Sequence, residues 1–291
     1  MSNKAHNEPG LFTYLKMMWL EITLKCNEGC GHCYNASGKE HAKDIELPKE
    51  KWFSILEEGR DLGASEVQFI GGEPTLVSWL KEGLNKAASL GYQKIEIYTN
   101  GTKLDYDLLG SIVDNNVHVA VSVYSFNSKS HDLITGLHGS HQRTMKNIER
   151  LKEAGVPLRL SVVSMPINRP EVEETVKKLR EDGFTNVGID NVRAFGRALA
   201  ITKRKPRSQD LCGHCWNGTF CINPQGAVYP CIMSRHLQIG DVEKQSLREI
   251  LSSRESIAAK KSVFEMVWKP RNLISVMDVS NFPPYIGDVS C

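Results

Sequence analysis

The sequence predicts an α/β protein with a parallel sheet, followed by a smaller cysteine-rich module. Six short apolar runs alternate with helical stretches between about residues 18 and 192. This alternation indicates strand–helix–strand units with right-handed crossovers, in either an open doubly wound sheet or the arc of a barrel. In both architectures, functional side chains follow the carboxyl ends of the strands. The eight cysteines are confined to two groups and the final position of the 291-residue chain.

The predicted strands are short runs rich in β-branched residues: Trp19–Leu24, Val67–Ile70, Lys94–Tyr98, Val117–Val123, Leu158–Val163 and Val187–Ile189. Between them, apolar residues recur three and four positions apart, as Trp52, Ile55 and Leu56 do in the first helical stretch. Four glycines each follow a helical stretch and precede a strand, which marks helix ends: Gly63, Gly91, Gly155 and Gly183.

The composition is that of an ordinary globular protein, with 41% apolar and 24% charged residues. A net charge of +2 provides no broad electropositive field, so we expect no nucleic-acid partner. No run approaches the ~18 uninterrupted apolar residues of a membrane span. The first ten residues also lack the apolar segment of a signal peptide. We therefore expect a cytoplasmic protein with no membrane partner.

A basic, proline-interrupted segment, Lys203–Ser208, separates the alternating region from the cysteine-rich region. Such a segment is typical of a solvated linker, and a basic run also suits contact with an acidic substrate. The predicted domains are therefore residues 1–202, which contain the parallel sheet, and residues 203–291, which contain five of the eight cysteines.

The first cysteine group, Cys26, Cys30 and Cys33, directly follows the first predicted strand. In a reducing compartment, clustered cysteines favour metal binding over disulfides. Soft thiolates select zinc or an iron–sulfur cluster. A structural zinc site needs four ligands and no fourth cysteine is near, so three thiolates favour a [4Fe–4S] cluster with one open iron. The alternative is a zinc knuckle completed by His32.

The spacing Cys-x3-Cys-x2-Cys after a first strand resembles the signature of radical S-adenosylmethionine (SAM) enzymes. The resemblance implies a partial (β/α)6 TIM-type barrel. It also implies that Cys26, Cys30 and Cys33 hold a [4Fe–4S] cluster whose unique iron chelates the methionine amino and carboxylate groups of SAM. Reductive cleavage of SAM would then yield a 5′-deoxyadenosyl radical that abstracts a substrate hydrogen.

Further strand ends extend the resemblance. The segment Gly71-Gly72-Glu73-Pro74 resembles the family's GGEP motif, whose backbone and carboxylate hold the SAM amino group. Thr99 and Asn100 end the third strand and Ser122 lies in the fourth, at positions where relatives contact the SAM carboxylate or ribose. The complete set of cofactor-binding residues implied by the resemblance is Tyr34, Gly71, Gly72, Glu73, Pro74, Thr99, Asn100 and Ser122.

Two other segments bear on the site. His131–Ile148 resembles a segment common in peptide-modifying radical SAM enzymes, and its Arg143 is a candidate either to contact SAM or to cap a helix. Arg193 and Arg197 follow the sixth strand, where a basic side chain meets a cofactor or substrate carboxylate or lies in a surface loop.

The second cysteine group contains Cys212, Cys215, Cys221 and Cys231. A Cys-x2-Cys pair with cysteines downstream is a metal signal, with zinc as one interpretation. Residues 222–231 and 239–242 resemble the start of the SPASM or twitch domain, which implies one auxiliary iron–sulfur cluster, expected to be [4Fe–4S]. Cys212, Cys215 and Cys231 fit the motif best, and the fourth ligand is Cys221 or Cys291.

Residues 122–160 and 211–242 most resemble maturases of ribosomally synthesised peptides, oxidoreductases that cross-link or epimerise their substrates. The resemblance implies a peptide substrate and a reductant such as flavodoxin or ferredoxin. Because about 17 residues precede the barrel, we expect a leader to need either a separate leader-peptide-binding protein or direct docking on the barrel. One alternative is a small-molecule dehydrogenase or epimerase of natural-product or cofactor biosynthesis. Another is a zinc-stapled binding module without catalysis. No residue stands out as a catalytic acid or base.

Overall fold

A computed structural model of the protein describes residues 13–206 and 210–267. Within these ranges one sheet contains nine strands, in the spatial order β6-β5-β4-β3-β2-β1-β7-β8-β9. The strands are β1 (Met17–Glu21), β2 (Glu66–Ile70), β3 (Lys94–Thr99), β4 (His118–Val123), β5 (Leu158–Ser164), β6 (Val187–Asn191), β7 (Thr219–Ile222), β8 (Ala227–Tyr229) and β9 (Gly240–Asp241).

The helices connect and cover these strands. They are α1 (Lys49–Asp61), α2 (Leu80–Ser89), α3 (Tyr106–Asp114), α4 (Ser128–Thr135), α5 (Ser140–Glu153), α6 (Val172–Glu181), α7 (Ala198–Thr202), α8 (Leu247–Ser252) and α9 (Arg254–Val267). In the two described ranges every helix is too short or too polar to span a bilayer.

The strand order decides between the two predicted architectures. Strands β1 to β6 are neighbours in the order in which the chain forms them, and every pair is parallel. A doubly wound sheet reverses its order at a switch point, whereas a barrel arc winds in one direction. The sheet is therefore the arc of a partial (β/α)6 barrel, as the family resemblance implies.

The predicted strand positions are confirmed, with one shift at the first strand. The apolar run predicts Trp19–Leu24, but β1 spans Met17–Glu21. The later residues leave the ladder because the carbonyls of Thr23 and Lys25 accept hydrogen bonds from the backbone of Gly72 and Glu73, at 2.7 and 2.8 Å. The four glycines predicted to end helices all have positive φ, between +71° and +100°.

The main core lies between the sheet and its helices. Trp52 and Leu56 of α1 are fully buried against Phe69 of β2 and Met18 of β1. These residues carry the apolar periodicity that predicts the helix, and each such side chain contributes about 1.5–3 kcal/mol when fully buried. The core therefore holds the carboxyl ends of the strands in fixed relative positions.

The C-terminal region extends the same sheet. Strand β7 pairs in parallel with β1, with Met17 opposite Thr219, and β8 and β9 follow as antiparallel strands. The division into domains at residue 203 stays a prediction, and the hydrogen-bonded sheet runs across it. Arg207, Ser208 and Cys291 lie outside the described residues.

Candidate active site

A cleft opens at the carboxyl ends of the parallel strands and encloses about 1140 Å³ of space, part of it open to solvent. The sequence-predicted residues that line the cleft are Cys26, Cys30, Cys33, Tyr34, Gly71, Gly72, Thr99, Asn100, Ser122 and Arg193. Residues separated by nearly a hundred positions thus meet on one surface, because the carboxyl ends of parallel strands lie at the same edge of the sheet.

The three cysteines lie on the loop after β1, which forms one wall of the cleft. Cys30 is buried, and Cys26 and Cys33 are half-buried. The loop begins with the Cys26 backbone N–H, which donates to the carbonyl of Gly38 at 3.3 Å. Its middle is held by Gly29, whose N–H donates to the carbonyl of Thr135 in α4 at 2.8 Å. The predicted segment beginning at His131 therefore supports the cysteine loop.

The arrangement of these thiols is not that of a preformed zinc site. Among residues 13–206 and 210–267, no three Cys, His, Asp or Glu side chains converge on a point where they would bind one metal ion. A tetrahedral zinc site requires such convergence, because its sulfur ligands lie roughly 2.3 Å from a single ion. A [4Fe–4S] cluster does not, since each thiolate binds a different iron.

Two further groups beside the cysteines are suited to a polar ligand. Glu28 Oε1 and His32 Nδ1 are buried in the cleft wall and have no hydrogen-bond partner within the described part of the chain. Buried polar atoms are normally paired, so an unpaired one needs a structural explanation. A polar cofactor in the cleft provides one, and the residues present therefore fit the implied cluster and SAM.

Burial sets the protonation of this wall in the metal-free protein. It raises the pKa of Cys26 to about 12, with further contributions from the nearby carboxylates of Glu73 and Glu28. It also raises the pKa of Glu28 to about 8 and lowers that of His32 to about 4. The side chains of Cys26, Glu28 and His32 are therefore mostly uncharged near pH 7. When a cluster binds, the cysteine thiols become thiolates and release their protons.

Gly71 and Gly72 line the cleft because β1 and β2 end in close contact. The φ of Gly71 is +128°, and a Cβ atom there would lie 2.4 Å from the carbonyl oxygen of Thr23. A Cβ atom on Gly72 would lie 2.2 Å from the carbonyl oxygen of Lys25. Only glycine fits at either position, and the contact fixes the backbone one residue before Cys26.

Glu73 is fully buried and holds the ends of β2 and β3 together. Its Oε1 accepts hydrogen bonds from the Thr75 N–H, the Thr75 hydroxyl and the Thr99 hydroxyl at 3.0, 2.7 and 2.7 Å. Its Oε2 accepts from the Asn100 N–H at 2.7 Å. Burial raises the pKa of this carboxyl, although these four hydrogen bonds act in the opposite direction. Glu73 and Pro74 lie behind the cleft lining, and their predicted contact with SAM stays a prediction.

Asn100 and Ser122 bring polar side chains to the cleft from β3 and β4. Asn100 Nδ2 donates to Asn27 Oδ1 of the cysteine loop at 2.9 Å. Ser122 Oγ donates to the Tyr98 hydroxyl at 3.2 Å. The carbonyl of Asn100 accepts from the Thr144 hydroxyl of α5 at 2.8 Å, so the segment from His131 to Ile148 also positions the end of β3. Arg143 of that segment lies in α5 and donates to the carbonyl of His138, just before the helix, at 3.0 Å.

Tyr34 joins the cysteine loop to a buried ion pair that sequence reasoning missed. Its hydroxyl donates to Glu21 Oε1 at 2.9 Å, and the same carboxylate is paired with the guanidinium of Arg235. Arg235 also lies over the rings of Tyr34 and Tyr229, at 5.4 and 5.9 Å from their centroids. The one sequence signal was a charged residue, Glu21, inside an otherwise apolar strand. This network connects the barrel to the C-terminal module.

The second cysteine group lies in a separate apolar cluster. Cys215, Cys221 and Cys231 are all buried in it, together with Trp19 and Ile232. The sulfur atoms of Cys215 and Cys231 are 2.9 Å apart. This hydrogen bond lowers the pKa of Cys231, and with burial it raises that of Cys215.

The remaining second-group cysteines take different positions. Burial and then the Glu21 carboxylate raise the pKa of Cys221, which lies on β7 opposite Trp19. Cys212 is half-buried in the loop before β7. The structure therefore gathers three of the predicted auxiliary ligands, Cys215, Cys221 and Cys231, and places Cys212 three residues away in the chain from Cys215.

Comparison with known proteins agrees with this geometry. The model of the radical SAM superfamily matches residues 20–183, and that of the SPASM iron–sulfur cluster-binding domain matches residues 212–273. The sporulation killing factor maturation protein SkfB of Bacillus subtilis is 27% identical over 202 residues, covering 68% of this chain and 48% of that protein. The PqqA peptide cyclase of Granulibacter bethesdensis is 29% identical over 180 residues, covering 62% of this chain and 48% of that protein.

The chain thus spans about half the length of these curated relatives. Among solved structures, Streptococcus suis SuiB bound to its precursor peptide SuiA superposes with a TM-score of 0.70 at 16% identity, covering 86% of this chain and 67% of that chain. At 16% sequence identity, the similarity to SuiB shows that the two chains share a fold. Since the superfamily model matches more than half of the residues, the chain belongs to the radical SAM superfamily, whose cofactors are SAM and a [4Fe–4S] cluster, with auxiliary iron–sulfur binding in its SPASM domain.

Proposed function

We propose that this protein cleaves SAM reductively to a 5′-deoxyadenosyl radical and uses it to abstract hydrogen from a peptide, leading to a cross-link or an epimerised centre. One observation carries the proposal. A single cleft at the carboxyl ends of the parallel strands combines Cys26, Cys30 and Cys33 with the Gly71-Gly72 turn and with Asn100. These residue types suit a cluster with one free iron and a polar cofactor beside it.

The chain contributes binding, orientation and shielding. When bound, the reduced cluster supplies the electron that cleaves SAM. Cys26, Cys30 and Cys33 would hold three of its irons, which leaves the fourth for SAM. The polar groups of Asn100 and Ser122 face the same cleft, where they would orient SAM.

The walls of the cleft are suited to protecting a radical. Apolar and aromatic side chains from three strand ends, Ile70, Tyr124 and Val163, line the cleft beside the polar groups. Such walls exclude water from a reactive intermediate and deny it competing reaction partners. Their role in this protein is to keep the radical next to one substrate hydrogen.

The peptide substrate is supported by the relatives. One is a maturation protein for a sporulation killing factor, another is a peptide cyclase, and the SuiB structure holds a precursor peptide. These relatives favour the peptide maturase over the small-molecule enzyme and over the zinc-stapled module.

The auxiliary site is the second part of the proposal. Cys215, Cys221 and Cys231 are buried together, and Cys212 lies on the same loop as Cys215. We assign the auxiliary cluster, of the [4Fe–4S] type, to Cys212, Cys215 and Cys231, with Cys221 or Cys291 as the fourth ligand. Cys212 is disulfide-bonded in this structure and would bind the cluster after reduction to the thiolate. In cross-link formation the auxiliary cluster would accept the electron left on the substrate radical, which makes that net reaction oxidative. The partners that follow are the peptide substrate and a reductant such as flavodoxin or ferredoxin.

Deuterium transfer tests this function. Short peptides encoded beside the gene for this chain are synthesised with deuterated residues and incubated anaerobically with the reconstituted enzyme, SAM and dithionite. The expected result is deuterium in the 5′-deoxyadenosine, with a product that has either lost two hydrogens or gained one solvent hydrogen at an inverted centre. The variant Cys26→Ala/Cys30→Ala/Cys33→Ala is the control and should yield neither. Turnover of SAM with no deuterium transferred from any of these peptides would contradict a peptide substrate.

A further inference from the structure

Residues 196 and 197, between β6 and α7, lie against the back of the cysteine loop. The Arg197 backbone N–H donates to the carbonyl of Cys33 at 2.9 Å. Its side-chain Nε donates to the carbonyl of Cys30 at 2.9 Å, and Nη2 donates to that of Ser37 at 2.7 Å. One residue thus holds three carbonyls of the loop, two of them belonging to cysteines.

Gly196 allows this contact. Its φ is +53°, and a Cβ atom there would lie 2.4 Å from the carbonyl oxygens of both Cys33 and Tyr34. Any side chain at this position would push the cysteine loop away from residue 197. The two backbones approach each other closely, and the guanidinium reaches past the glycine to Cys30.

The loop has few comparably short hydrogen bonds of its own. Within it, the Cys33 N–H donates to the Cys30 carbonyl at 3.2 Å and the Ala36 N–H donates to the Cys33 carbonyl at 3.3 Å. Hydrogen bonds from a charged donor are shorter and roughly twice as strong as neutral ones. The bonds from the Arg197 guanidinium therefore contribute strongly to the shape of the loop, whereas its exposed ion pair with Glu40, at 3.5 Å, contributes little.

Arg197 contributes charge as well as shape. The guanidinium places a positive charge beside the peptide unit of Cys30, on the side away from the thiol. The potential of an iron–sulfur cluster depends on nearby charge and hydrogen bonding. Removing this charge should make a cluster at Cys26, Cys30 and Cys33 harder to reduce. Arg193, in contrast, is paired with Asp190 at 3.1 Å.

We propose that Arg197, together with Gly196, is the positioning residue of the radical SAM cluster. It fixes the cysteine loop in the shape that binds the cluster, and its charge raises the reduction potential of that cluster. This inference rests on the proposed function, because it assumes a cluster at these three cysteines. The sequence left two roles open for Arg197, a carboxylate contact or a surface loop. Arg197 does lie in the loop between β6 and α7, and what the sequence did not show is that its side chain donates to carbonyls of the cysteine loop.

The test uses the reconstituted holoenzyme and the variants Arg197→Gln, Arg197→Lys and Gly196→Ala. Arg60→Gln is the matched control, because Arg60 donates to the carbonyls of Ala64 and Leu90, which precede β2 and β3 at the opposite end of the sheet. Two properties are measured without turnover. The first is the rate of iron release to a chelator, and the second is the midpoint potential of the EPR signal that changes when SAM is added.

Each variant has a distinct expected result. Arg197→Gln should release iron roughly ten- to a hundredfold faster, the usual effect of removing a group that orients a metal ligand, and should shift the potential downward. Arg197→Lys keeps the charge but not the paired donors, so its potential should stay near that of the wild type while iron release accelerates. Gly196→Ala should accelerate release as strongly as Arg197→Gln, and Arg60→Gln should match the wild type.

The same variants separate this inference from the proposed function. In the Cys26→Ala/Cys30→Ala/Cys33→Ala background the remaining iron belongs to the auxiliary site, and adding Arg197→Gln should leave its release unchanged. If Arg197→Gln and Gly196→Ala both release iron like Arg60→Gln and keep the wild-type potential, the positioning role is wrong while the proposed function stands. If no EPR signal of the wild-type protein responds to SAM, the proposed function itself is wrong.

Discussion

The two cysteine groups of this protein occupy opposite kinds of environment. Cys26 and Cys33 are half-buried on the wall of an open cleft, whereas Cys215, Cys221 and Cys231 are 1%, 0% and 2% exposed inside an apolar cluster. A centre that binds SAM and receives electrons needs an open side. A centre that only stores or passes an electron does not. The contrast in burial therefore indicates which group performs the chemistry and which one supports it.

The two groups also differ in what holds them. The first loop is fixed by backbone contacts from Gly38, from Thr135 of α4 and from Arg197 after β6. In the second group Cys221 lies in a β-strand, and Cys231 directly follows the hairpin of β7 and β8. The shape of the first site thus depends on contacts from loops and a helix, whereas that of the second depends on strand pairing, including the pairing of β7 with β1.

The strongest test of this contrast removes the first group. In Cys26→Ala/Cys30→Ala/Cys33→Ala, formation of 5′-deoxyadenosine should fall to background, because no thiolate remains to bind the cluster. Iron in the reconstituted protein should fall from about eight to about four atoms per chain, the content of one [4Fe–4S] cluster. Iron, sulfide and zinc analysis measures this directly. Retained SAM cleavage would refute the assignment of these cysteines.

Removing the second group should separate SAM cleavage from product formation. Cys215→Ala/Cys231→Ala should lose about four irons yet still form 5′-deoxyadenosine with dithionite, because the open cleft is intact. Cross-linked peptide should not appear, since the substrate radical has no electron acceptor. Parallel assays of 5′-deoxyadenosine and of peptide product distinguish the two steps. Unchanged product formation would make the second group a structural element only.

The ion pair between the two regions should stabilise the fold while it is complete. Arg235→Met leaves the fully buried carboxylate of Glu21 without its guanidinium partner, which should lower the free energy of unfolding by about 3–5 kcal/mol. Adding Glu21→Gln should recover part of this loss, because a neutral amide is less costly to bury. Urea denaturation of the cluster-free protein measures both variants. An equal loss of stability in the single and the double variant would argue against charge burial as the cause. Lys49→Met is the control, because Lys49 forms a surface ion pair with Glu82, and it should have no measurable effect.

A smaller effect is expected where the open site depends on one glycine. In Gly72→Ala the new Cβ would lie 2.2 Å from the Lys25 carbonyl oxygen, so the backbone next to Cys26 must shift. We expect about tenfold weaker SAM binding, measured by equilibrium dialysis with the reconstituted protein. Gly110→Ala is the control, because a Cβ on that helical residue meets nothing within 4 Å and should leave SAM binding unchanged. Equal affinities in the two variants would show that the turn tolerates a side chain.

The sequence was most informative where the signal is local. Trp52, Ile55 and Leu56 are buried on α1 as their spacing predicts, and the cysteine spacing identified the cleft before the fold was known. The contacts of Arg197 and Arg235 were not predictable, because each joins residues more than 150 positions apart in the chain. The hydrogen bonds of Glu73 were also not predictable from the sequence, because two of its partners, Thr99 and Asn100, lie more than twenty residues further along the chain. The GGEP resemblance assigns this carboxylate to SAM, but its partners lie at the end of β2 and on the next strand.

The parallel pairing of β1 with β7 has a consequence for how the protein is made. Met17 pairs with Thr219, so one edge of the first strand acquires its partner only after about two hundred further residues have left the ribosome. Until then, that edge exposes unpaired backbone groups, the feature through which strands from different chains aggregate. Assembly of the radical-generating region is thus completed by the region that carries the second set of cysteines. A chain released before β7 is synthesised would lack both the auxiliary site and a closed edge for its barrel.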